Sequence, residues 1–151
     1  MNTNTWQRLD QHFVEVEKHA GRTLTRASEV PGEDEISRAA SELNCTFDDD
    51  YVAFLRRYGG ATVGSLPVFG LRPVEVMGKP WSVVHVTQQF RQQGWPGTDR
   101  WYVISDDGFG NPIGIAADGR VMISDHDAGQ ISPLASDFED FLLNHCLQRT
   151  E

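Results

Sequence analysis

Between Trp101 and Ile123 short apolar runs alternate so closely with turn signals that few folds can accommodate the segment. Trp101-Tyr102-Val103-Ile104 reads as a buried strand, Asp106 to Asn111 as a turn, and Ile113 to Ala116 as a second strand. Asp118-Gly119 then turns the chain again into Val121-Met122-Ile123. Asp-Gly is favoured in two-residue hairpins because their central positions need positive φ. Three antiparallel strands therefore follow one another as a meander.

The segments on either side carry helical spacing instead. Trp6, Leu9, Phe13, Val16 and Ala20 recur every three or four residues and predict a first helix ending near Gly21. Ile36, Ala39, Ala40 and Leu43 form a second stripe, with Glu33, Asp34 and Glu35 suited to the positive end of its dipole. A third helix starts at Asp48-Asp49-Asp50, buries Tyr51, Phe54, Leu55 and Tyr58, and stops at Gly59-Gly60. Between Ala61 and Met77, the pieces Leu66–Leu71 and Val74–Met77 are short and broken by glycine and proline, so they read as edge strands or loops. A weaker helical pattern runs from Val83 to Phe90. The chain closes on an amphipathic helix with Leu134, Phe138, Phe141, Leu142 and His145 on one face, and Ser136 with Glu139 spaced as a capping box. Helices at both ends of a strand-rich centre predict an α+β fold, a single domain over 1–151 in which the N- and C-terminal helices pack against an antiparallel or mixed sheet.

Charge narrows the function. The 151 residues carry 13 Lys and Arg against 22 Asp and Glu, a net charge of −9. Segment 29–50 has eight acids and one base, and segment 99–151 has ten acids and three bases, whereas 51–98 is net positive. Such a surface repels a phosphate backbone but steers and orients basic proteins. No basic stretch is followed by an apolar run at the N-terminus, and no apolar run approaches the ~18 residues of a membrane helix. The sequence thus predicts a cytoplasmic protein that binds neither nucleic acid nor membrane.

The candidate chemistry is thin. Asp106-Asp107-Gly108-Phe109-Gly110-Asn111 pairs carboxylates with glycines, yet it lacks the alternating ligands and distal Glu of a calcium hand and the Gly-Lys-Ser/Thr of a phosphate loop. It reads as a glycine turn that projects Phe109 within an acidic rim, an arrangement suited to an interface anchor. Asp125-His126-Asp127 invites a catalytic or zinc reading, but strand alternation would send His126 to the face opposite the two acids, leaving Asp125 and Asp127 as partner contacts. His85, His126 and His145 supply no paired metal-ligand spacing, and Cys45 and Cys146 read as reduced residues in or near the core. Trp6 and Trp101 belong to periodic segments and read as core. Trp81 and Trp95 sit beside prolines, where each is either a local plug or an exposed anchor. No catalytic set, metal or cofactor is called for; the partner-contact candidates are Asp106, Asp107, Phe109, Asn111, Asp125, Asp127 and Trp81.

The order of these signals resembles the SUKH superfamily of Smi/Knr-like domains over nearly the whole chain. The resemblance rests on Phe47-Asp48-Asp49-Asp50-Tyr51-Val52-Ala53-Phe54-Leu55 followed by Gly59-Gly60, on Trp101–Ile104 with Asp107-Gly108-Phe109-Gly110-Asn111, on Val121 through Ser124-Asp125-His126-Asp127, and on Leu134 to Leu142. Asp48 stands where that family usually has proline; both residues suit a helix start. The resemblance implies a mixed α+β fold and an immunity protein that binds and neutralises a bacterial toxin. Many toxin partners in the family resemble nucleases, whose basic grooves an acidic inhibitor would complement. It equally implies an alternative, a regulatory scaffold or ligand-binding module like the fungal relatives. A hydrolase built on Asp106/Asp107 and Asp125/His126/Asp127 is the third and weakest reading.

Overall fold

The computed structural model describes residues 1–147 and is α+β, with helices packed on two antiparallel sheets. Helix α1 (Thr3–Ala20) starts at Asn2, whose side chain accepts from the Asn4 N–H at 2.8 Å, and ends at Gly21 with φ 73°. Helix α2 (Glu33–Glu42) carries Glu33, Asp34 and Glu35 in its first turn. Helix α3 (Asp49–Tyr58) is capped by the Asp48 carboxylate and stopped by Gly59. Strands β1 (Ala61–Val63) and β2 (Leu66–Val68) form a two-stranded ribbon, and α4 (Val83–Gln92) follows.

The second sheet has the order β3-β4-β5-β6, antiparallel throughout, from β3 (Tyr102–Asp106), β4 (Pro112–Ile115), β5 (Val121–Asp125) and β6 (Gln130–Ala135). One cross-strand row, Tyr102, Ile115, Val121 and Ala135, is wholly buried. The Tyr102 ring lies 4.7 Å from Phe47 and 5.3 Å from Tyr51, and Tyr51 meets Phe138 at 5.6 Å, so α3 and the C-terminal helix share one aromatic layer over the sheet. The fully buried Tyr51 hydroxyl donates to the Phe69 carbonyl at 2.6 Å, which satisfies a polar group that would otherwise be costly to bury. Helix α1 joins this core through Leu9 and Phe13, the latter ring 4.9 Å from that of Tyr58.

The structure corrects the sequence reading in several places. A fourth strand, β6, extends the meander, and Leu134 belongs to it rather than to the closing helix. That helix, α5 (Phe138–Phe141), starts at Asp137, whose carboxylate accepts from the Asp140 N–H, and widens into a π-helical turn over Leu142–Cys146. Ser136 and Glu139 do not form the expected capping box: Asp140 accepts from the Ser136 N–H, while Glu139 accepts from Thr5 Oγ1 at 2.6 Å and the Asn2 N–H, tying down α1. His145 is exposed and stacks on Phe141. Of the two options open to Val74–Met77, edge strand or loop, the structure has the loop, whereas Trp6, expected in the core, is half-buried under the Arg57 guanidinium, 4.6 Å from its ring. Strand β5 ends at Asp125, and His126 to Gly129 form the turn into β6, so strand alternation does not govern Asp125, His126 and Asp127. Among the described residues, no helix is long and apolar enough to cross a membrane.

Candidate functional site

In an antiparallel meander alternate turns fall at the same end, so the β3–β4 and β5–β6 turns are neighbours. They are also joined directly, because Asn111 Oδ1 accepts from the His126 N–H at 2.8 Å. This junction gathers Asp106, Asp107, Phe109, Asn111, Asp125 and Asp127 at one end of the sheet.

The side chains divide into those that build the turns and those that face outward. Asp107 builds: its Oδ1 accepts from the Phe109 and Asn111 N–H groups at 2.9 and 3.1 Å, and its Oδ2 from the Asn111 amide at 2.8 Å. Partial burial pushes this carboxyl up, but the Asn111 amide and the two N–H donors outweigh it, and the pKa lies below the usual carboxylate value. Asp106 uses one oxygen for the Gly108 N–H at 2.8 Å, and Asp125 uses one for the Asp127 and Ala128 N–H groups. Each leaves a second oxygen outward, as does the exposed Asp127. Gly108 and Gly110, at φ 86° and 91°, let the turn bend tightly on either side of Phe109, whose side chain is 90% exposed.

The acids of this end are unpaired, as are Asp34, Glu42, Asp49 and Asp99 among the described residues, but here four of them stand on two adjoining turns. Elsewhere Arg22, Arg26, Arg56, Arg57, Arg72 and Arg120 each pair with a carboxylate. Among the described residues, no Lys, Arg or His lies within ion-pair distance of Asp106, Asp107, Asp125 or Asp127, and their negative potential is uncompensated. Nor do three His, Cys, Asp or Glu side chains gather anywhere among those residues as a metal site. Cys146 is buried, which pushes its thiol up to about 12, and burial also raises the half-buried Cys45, so neither has the low pKa of a nucleophilic thiolate.

Trp81 stands apart from the acidic turns. It is half-buried just before α4 and lines a depression with Pro80, Ser82 and His85. That depression shares Lys79, Pro80 and Gln89 with a second, open groove of about 550 Å³ that reaches Asp106 and Phe90. The connection back to the turns is aromatic: Phe90 meets Trp95, and Trp95 meets His126, each with ring centroids 5.4 Å apart. Trp95 is thus a local plug, half-buried between α4 and the β5–β6 turn. Of the groove lining, Gln89 has no signal of its own in the sequence, and Met77 and Phe90 stand out there only as ends of apolar runs.

The SMI1/KNR4 family model (SUKH-1) matches residues 31–144, which take in every residue of the acidic end and the groove. The chain belongs to the SMI1/KNR4 family (SUKH-1). No curated protein matches the sequence significantly. In this SUKH-1 chain, α1 precedes the matched segment and is attached to it through Glu139 and the Phe13–Tyr58 contact.

Asp107→Ala should loosen the Phe109 turn, costing about 2 kcal/mol of local stability for the loss of three charge-assisted acceptor contacts. Because its folded pKa is depressed, the carboxylate's contribution is fully present above the unfolded value near 3.8 and is lost as pH falls through the lower folded value. Amide exchange of Phe109 and Asn111 should accelerate in the variant at neutral pH and in the parent only under strong acid. Unchanged exchange in the variant would deny Asp107 this role.

Proposed function

We propose that this SUKH-1 protein is an immunity protein that binds a cognate toxin, a basic protein of nuclease type, and neutralises it by stoichiometric occlusion in the cytoplasm. Family membership supports the immunity role, and the observation that carries the binding mode is the uncompensated acidic end of the sheet with Phe109 projecting from its centre. Asp106, Asp125 and Asp127 would steer and orient the basic partner, Phe109 would enter a pocket on it, and Trp81 would contact it from the flanking depression. Asp107 and Asn111 would act from behind by holding the turns in shape. Turnover has no part in this reading, and neither nucleic acid nor membrane is a partner.

The test is co-expression with each basic toxin-like domain that sequencing finds encoded beside this gene, followed by association kinetics on the purified pair. Growth should be restored, and the association rate should fall steeply with ionic strength, as steered encounters do. The triple variant Asp106→Asn/Asp125→Asn/Asp127→Asn keeps an Oδ1 acceptor for each turn N–H, so it should fold normally while associating about tenfold more slowly at low salt. Phe109→Ala should instead raise the dissociation rate by about 30-fold, as expected of an interface hot spot. An unaltered association rate in the triple variant would refute the electrostatic reading, and no binding to any neighbouring basic protein would refute the immunity role. A regulatory scaffold, the alternative, would show neither toxin rescue nor steep salt dependence.

A further inference from the structure

The groove beside α4 has features that an acid-mediated encounter does not use. Its walls are largely apolar, from Pro67, Phe69, Val76, Met77, Pro80 and Phe90, and Val76 is 47% exposed. Its charge is polar along its length. Asp106 stands in the groove alone, with one carboxylate oxygen on the Gly108 N–H and the other unengaged, whereas Lys79 stands where the groove meets the Trp81 depression. Gln89 lines both hollows, and its exposed side-chain amide has no hydrogen-bond partner among the described residues. Apolar walls accept aliphatic side chains, the Gln89 amide can donate to and accept from a backbone laid beside it, and the lone carboxylate selects a cation against it.

We propose that this groove holds an extended segment of the protein partner, aliphatic along the groove and carrying its terminal lysine or arginine against Asp106. The inference rests on the reading of the chain as a protein-binding module and adds a second contact to it: the acidic turns meet the folded body of the partner, and the groove takes a strand-like arm. Charge complementarity favours a basic over an acidic residue against Asp106, and a second copy of this chain, at net −9, is disfavoured by repulsion.

The test uses two peptides, acetyl-Arg-Leu-Val-Leu-amide and acetyl-Leu-Val-Leu-Arg-amide, with glutamate replacing arginine in matched controls. Backbone amide shifts of the isotope-labelled full chain are followed at low salt. At least one arginine peptide should shift Met77, Gln89 and Phe90 saturably and bind about tenfold more tightly than its glutamate control. Asp106→Asn, which keeps the turn acceptor, should abolish that preference while the groove shifts persist. Absence of saturable groove shifts, equal binding of the arginine and glutamate peptides, or self-association through the groove that peptide cannot displace would each overturn the proposal. The two ideas fail separately: toxin capture without peptide binding removes the groove contact alone, and peptide binding without toxin capture removes the immunity role alone.

Discussion

Gly70→Ala should leave little folded protein. A Cβ built at Gly70 would lie 2.1 Å from the Gly59 carbonyl oxygen, 2.7 Å from its carbon and 2.8 Å from Gly60 Cα, all backbone atoms that cannot rotate away. The crossing they form is also fixed by hydrogen bonds. The Leu71 N–H donates to the Gly59 carbonyl at 2.8 Å, the Val83 N–H to the Gly70 carbonyl at 2.8 Å, and the Ala27 N–H to the Gly60 carbonyl at 3.0 Å. The end of α3, the exit of β2, the start of α4 and the link from α1 therefore meet at three glycines. Overpacking a flexible side-chain site costs about 1–3 kcal/mol; against fixed backbone the cost should exceed about 4 kcal/mol, a large share of the ~5–15 kcal/mol typical of a domain. Urea unfolding checks this, with Gly32→Ala as control: nothing lies within 4 Å of a Cβ there, and its cost should stay below about 1 kcal/mol. A Gly70→Ala midpoint near that of the control would show that the crossing yields easily.

Arg91→Met should destabilise the chain by about 3 kcal/mol despite keeping a long apolar stem. Arg91 makes no ion pair among the described residues; its guanidinium donates from Nε to the Thr98 carbonyl, from Nη1 to Leu43 and from Nη2 to Trp101, each at 2.8 Å. One planar group thus clamps α4 to the C-terminal end of α2, where a cation also suits the helix dipole, and to the loop that delivers β3. Methionine would strand three carbonyls at a half-buried site, at about 1 kcal/mol each where water can partly reach them. Arg91→Lys should recover little, since a single ammonium cannot span three divergent acceptors. The expected signature is a lower urea midpoint at unchanged slope, and a midpoint within about 0.5 kcal/mol of the parent would remove Arg91 as a clamp.

Neither residue announces itself in the sequence. Gly59-Gly60 is legible as a helix stop, because a left-handed C-cap is a local requirement, but nothing local says that Gly70 must pass against it. Arg91 is one polar residue on an amphipathic helix until α2 and the β3 loop arrive beside it. The same distinction explains the missed strand. Gln130 to Pro133 are all exposed and run into a proline, which argues locally against a strand, and β6 forms on the edge that β5 offers. Leu134 stands four residues before Phe138, the spacing of one helical face, yet the chain turns between them and leaves Leu134 in β6.

The acidic end shows both sides of the argument within a few residues. That Asp106 to Asn111 must turn, and that Phe109 must project from it, follows from two glycines flanking an aromatic among short polar side chains. That the turn stands beside Asp125 and Asp127, and opens onto a groove adjoining the Trp81 depression, depends on strand order and on the Asn111–His126 bond.

The sequence by itself determined the fold class, the three N-terminal helices with the Gly21 and Gly59 stops and the Asp48 cap, the first three strands of the meander, and a strongly acidic surface, because periodicity, turn chemistry and net charge act over a few residues or over none in particular. Only the tertiary structure decided which acids stay unpaired, which glycines touch and which arginine clamps the helices. Those outcomes depend on atoms far apart in the chain, and a hydrogen bond or steric contact between them exists only once the packing has brought them within about 3 Å.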